Sequence, residues 1–72
     1  MSLGWETTAE DVMNVARVRF GQAITEERAK EILDGLDTNE IENEALRGGD
    51  MEQQTEYSYD EIARQIREGK EL

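Results

Sequence analysis

Thr8-Ala9-Glu10-Asp11-Val12-Met13-Asn14-Val15-Ala16-Arg17-Val18-Arg19-Phe20-Gly21 is the stretch whose reading decides the fold. Thr8 stands before Glu10 and Asp11, so a capping hydroxyl is followed by acids in the first turn, where the helix dipole favours negative charge. Ala9, Val12, Met13, Ala16 and Phe20 then recur at i, i+3, i+4, i+7 and i+11, which is one face of an α-helix. Gly21 supplies a residue free to adopt the left-handed conformation that stops a helix. The spacing predicts a helix over about 8–20. Val15 and Val18 fall off the main face and either widen it or meet a second partner.

The same grammar repeats outward from this stretch. Thr25 precedes Glu26 and Glu27, and Ala29, Ile32, Leu33 and Leu36 form the next stripe, a helix over about 25–36 in which Glu26 and Lys30 make a favourable i,i+4 pair. Asp37 with Glu40 opens a short helix over about 38–47 carrying Ile41, Ala45 and Leu46, and Gly48-Gly49 follows as its stop. Two starts are open for the last segment. Tyr57-Ser58-Tyr59-Asp60-Glu61-Ile62 fits a capped start near Tyr59. The run from Asp50 to Glu68, however, holds no helix breaker, which favours one helix over about 51–68 with Met51, Tyr59, Ile62 and Ile66 on a shared face and Gly69 as the terminating residue. No segment alternates with period two, and there is no proline, hairpin dipeptide or repeat. The expected fold is all-α: a small bundle of three main helices and one short one. It forms a single domain over 1–72, with residues 1–6 and 69–72 less ordered.

Composition bounds what such a body can do. The chain has 72 residues, 18 Asp and Glu against 8 Lys and Arg, no His and no Cys, for a net charge of −10. A core this small, without disulfide or zinc staple, leaves only about 3–5 kcal/mol of net stability. Absence of cysteine fits a reducing compartment, and with no apolar run long enough to span a bilayer the expectation is a cytoplasmic protein that does not engage membranes.

Without His or Cys, acid–base chemistry would fall on carboxylates, each needing a closed apolar cleft to raise its pKa, and so small a body has little room for one. No enzymatic activity and no cofactor are expected. The stretch Asp34 to Glu42 is acid-rich enough to test against a calcium loop, which needs oxygen ligands at positions 1, 3 and 5 and Gly at position 6. A start at Asp34 puts Leu36 at position 3, and a start at Asp37 puts Glu42 at position 6, so neither frame fits. Direct nucleic-acid binding requires a basic stripe, and the net charge has the wrong sign.

What is left is surface. Apolar side chains outside the clean faces, Trp5, Val15, Val18, Ile24 and Met51, either fold over the bundle or form an association edge; Trp5, Val15, Val18, Phe20 and Met51 are the candidates for contact with a protein partner or with a second copy in a homodimer. The acidic field is the other candidate. Glu27, Glu31 and Asp34 on the second helix, with Glu40 and Glu44 on the third, form a row that would mimic nucleic acid in the groove of a nuclease or other nucleic-acid-binding protein.

Overall fold

The computed structural model describes residues 6–72. Its elements are four α-helices: α1 (Ala9–Phe20), α2 (Glu26–Asp34), α3 (Thr38–Ala45) and α4 (Met51–Gly69), with no strand among the described residues. The all-α bundle of three main helices and one short one is thus the observed architecture. The last helix is a single piece that begins at Met51, so the alternative start at Tyr59 is not used.

Each helix begins on a side chain that takes up an otherwise unpaired backbone donor. The Thr8 hydroxyl accepts from the Asp11 amide at 3.3 Å while the Asp11 carboxylate accepts from the Thr8 amide at 3.0 Å, a reciprocal box closed by Asp. Thr25 accepts from the Arg28 amide at 3.1 Å and Asp37 from the Glu40 amide at 3.2 Å. Asp50 accepts from the Gln53 amide at 2.9 Å, and the Gln53 side chain returns to the Gly49 amide at 2.8 Å.

The C-terminal ends depart further from the expected boundaries. Helix α2 closes at Asp34 instead of residue 36, because Asp37 must take an extended conformation (φ −86°, ψ 92°) to cap α3. Gly35 and Leu36 bridge the gap with tight bonds to the carbonyls of Ile32 and Leu33. Gly21 has φ 66°, the left-handed stop expected of it. The terminator of α4 is Lys70 (φ 55°), not Gly69, which is the last helical residue. The Glu71 amide reaches back to the Ile66 carbonyl at 3.1 Å and the Lys70 amide to the Arg67 carbonyl at 3.2 Å, and these bonds set the turn one residue later.

Helix α4 is the spine. Nineteen residues make it about 28 Å long, close to the 29 Å of the longest molecular dimension. Helix α3 packs along it, α1 packs on both α4 and α2, and the core between them is Val12, Val15, Ala29, Ile32, Ile41, Ile62, Ala63 and Ile66, all buried. Met13, Phe20, Ile24, Leu33, Leu36, Tyr59 and Leu72 close its rim. Ser58 sits fully buried on the same stripe; its hydroxyl donates to the Thr55 carbonyl at 2.8 Å, which satisfies it without a partner from another helix. The C-terminal residues lie against α2 and the core: Arg28 donates to the Glu71 carbonyl at 3.1 Å, and Leu72 packs on the core.

Candidate interaction surface

The most organised polar site joins α4 to the α2–α3 connection. Glu61 is 7% exposed, and its carboxylate accepts from the Arg64 guanidinium and, at 2.9 Å, from the Gln65 amide. Gln65 in turn accepts from the Asp37 amide at 2.7 Å and donates to the Asp37 carbonyl at 3.2 Å, so one side chain holds the backbone of the α3 cap from both sides. Hydrogen bonding from Arg64 lowers the Glu61 pKa, outweighing the upward push of burial, and Gln65 lowers it further. The same contact raises the pKa of Arg64, whose other arm pairs with Glu68.

This constellation keeps a carboxylate ionised and a loop fixed. It does not supply a carboxylic acid held protonated near neutrality, which is what proton donation requires. Three open clefts among the described residues lie elsewhere: one is bordered by Thr25, Glu26, Glu27 and Lys30, one by Glu44, Arg47, Tyr57 and Asp60, one by Ala9, Glu10, Met13 and Glu26. Among the described residues, no group of three acids gathers closely enough to hold a metal ion. Nor is any helix among them long and apolar enough to cross a membrane.

The five candidate contact residues separate. Trp5 lies outside the described residues. Val15 is fully buried and widens the inner face of α1, so it is core and offers nothing to a partner. Phe20 is half-buried, with the Arg67 guanidinium 6.0 Å from its ring centre. Val18 and Met51 do reach solvent, at 65% and 74% exposure. Leu46 and Tyr57 are exposed as well, although the spacing had assigned Leu46 to a helix stripe. Leu46 follows the last residue of α3, Met51 opens α4, and Tyr57 borders Glu44 and Arg47 near the end of α3. Among the described residues, Leu46 and Met51 therefore flank the α3–α4 connection, with Tyr57 about 9 Å further along α4 and on another side of it.

The acidic candidates also divide. Glu27, Glu31 and Asp34 are exposed on the side of α2 opposite Ala29 and Ile32, and none of the three is in a salt bridge among the described residues. Their rises along the helix are about 6 Å and about 4.5 Å. Glu44 is half-buried and paired with Arg47 at 3.3 Å, and Glu40 is close enough to Arg64 to raise its pKa. The α3 pair thus faces arginines, whereas along α2 the nearby base Lys30, which borders the same cleft as Glu27, pairs with Glu26 at 3.4 Å. Comparison of the chain with protein-family models, with curated proteins and with solved structures gives no match in any of the three.

Proposed function

We propose that the protein is a small non-enzymatic interaction module that docks on a protein partner, or on a second copy of itself, through the apolar side chains at the α3–α4 end. The observation that carries this reading is the exposure of Leu46 and Met51 on either side of the α3–α4 connection, with Tyr57 exposed further along α4; among the described residues, Val18 on α1 is the other large apolar side chain so exposed. Exposed apolar groups so placed contribute to association out of proportion to their number. The reading takes the protein to be cytoplasmic, in keeping with its cysteine-free sequence.

A photo-crosslinking residue placed at position 51, and separately at position 31 on α2, tests the reading in the native host. Adducts from position 51 and none from position 31 are expected. Absence of any adduct from 51, together with a monomer in sedimentation equilibrium up to high micromolar concentration, overturns it.

A second reading draws on the unpaired row Glu27, Glu31 and Asp34. These acids would occupy the phosphate-binding groove of a nuclease or similar protein, as a decoy. It predicts adducts from position 31 and binding that weakens steeply with salt, whereas apolar docking changes little.

A further inference from the structure

Met51 belongs to the inward stripe of α4. Counting by helical periodicity, Met51, Thr55, Ser58, Ile62 and Ile66 fall at i, i+4, i+7, i+11 and i+15, one face. Ser58, Ile62 and Ile66 are fully buried along it, Thr55 is half-buried, and Met51 is 74% exposed. The stripe outruns the bundle, because α3 and α1 are too short to cover the first turn of the spine. The uncovered turn is therefore a core face lacking its last layer, which is a different thing from an apolar residue scattered on a surface.

Charge decides what fits there. Between Glu42 and Tyr57 the chain carries Glu42, Glu44, Asp50, Glu52 and Glu56 against a single base, Arg47. Arg47 is committed to Glu44, and the positive end of the α4 dipole is worth only about half a charge. A second copy would bring the same carboxylates against these, and like charges facing each other across an interface oppose docking. No sheet edge exists among the described residues, so an extended strand has nothing to extend.

Resting on the interaction reading above, we infer that the occupant is a basic amphipathic helix of another protein. Its apolar face covers Met51 on the open first turn of α4, and its Lys or Arg flank meets Glu52 and Glu56 on the neighbouring strip of the same helix.

The full chain is titrated, by fluorescence anisotropy, with a labelled Leu/Lys amphipathic helical peptide of about four turns. A scrambled peptide of the same composition and a Leu/Glu amphipathic peptide serve as comparisons. The Leu/Lys helix is expected to bind at least about tenfold more tightly than either, a factor typical of one good anchor plus complementary charge. Met51→Ser and the double variant Glu52→Gln/Glu56→Gln each weaken it by about tenfold, while Glu10→Gln on α1 leaves it unchanged; circular dichroism of each variant confirms the fold.

Equal binding of the scrambled peptide overturns the inference, since charge alone would then suffice. Equal or tighter binding of the Leu/Glu helix overturns the partner class and leaves the interaction reading standing. So does concentration-dependent self-association that Met51→Ser abolishes. No binding by any peptide overturns the inference, and the position-51 crosslinks then decide the broader reading independently.

Discussion

Gly48 illustrates how a residue can be indispensable without an unusual backbone. It has no positive φ, yet a Cβ built on it would stand 2.6 Å from the Gln54 backbone nitrogen and 2.8 Å from the Gln53 carbonyl carbon. Both atoms belong to the first turn of α4, so the backbone itself would have to move. Gly48→Ala is expected to cost about 1–3 kcal/mol, as overpacking does, and each kcal/mol lowers Tm by about 4–8 °C in a domain of this size. A thermal melt checks it. Lys70 is the opposite case, an L-residue held at φ 55° with its amide bonded back to Arg67. Lys70→Gly relieves that conformation and is expected to raise stability by up to about 1 kcal/mol, measured by urea titration. The left-handed stop at Gly21 could be read from the sequence, because a helix pattern ends on it. The demand on Gly48 could not, because it arises from where a later helix passes.

At the scale of elements, the N-termini were the legible part. Thr8, Thr25 and Asp37 announce themselves by a small polar residue ahead of acids, and all three cap as expected; Asp50 caps α4 as well, with Gln53 three residues on. Apolar periodicity likewise located the core faces of α1, α2 and α4. The link between α3 and α4 was not legible, since Glu61 and Gln65 look like ordinary surface acids and amides until Asp37 is placed beside them. Exposure of Leu46 was hidden for a related reason: a stripe shows which face is apolar, not how far a neighbouring helix reaches along it.

The α3–α4 link carries a pH prediction. Glu61 has a folded pKa below its unfolded value of about 4.3. Its contribution is complete above the unfolded pKa and disappears as pH falls through the folded one. Stability of the natural chain should therefore decline more steeply on acidification below about pH 4.3 than that of Glu61→Gln. At pH 7 the variant should be the less stable of the two, because Arg64 and Gln65 lose a charged acceptor. Urea midpoints at pH 7 and pH 3 measure both. Parallel pH profiles for the two proteins would mean that ionisation of Glu61 adds nothing to folding.

For the molecule as a whole, the question is whether a net charge of −10 on 8.3 kDa limits stability. Arg19, Arg28, Lys30, Arg47 and Arg64 are engaged in salt bridges with Asp60, Glu71, Glu26, Glu44, Glu61 and Glu68. Most of these pairs are solvent-exposed, and such pairs contribute about 0–1 kcal/mol each, less when salt screens them. Glu27, Glu31, Asp34, Glu52 and Glu56 are exposed and in none of these bridges, so self-repulsion is spread over α2 and the start of α4. Salt weakens both effects, but repulsion sums over many separations near the Debye length, about 10 Å at 0.1 M, while the bridges are few and short. Moderate salt near neutral pH should accordingly raise Tm by several degrees, equivalent to about 1 kcal/mol. Differential scanning calorimetry from about 0.02 M to about 0.5 M sodium chloride gives the answer. A flat or falling Tm would show that the bridges and the capped N-termini already offset the acidic coat, and would remove electrostatic repulsion as a reason for the protein to seek a basic partner.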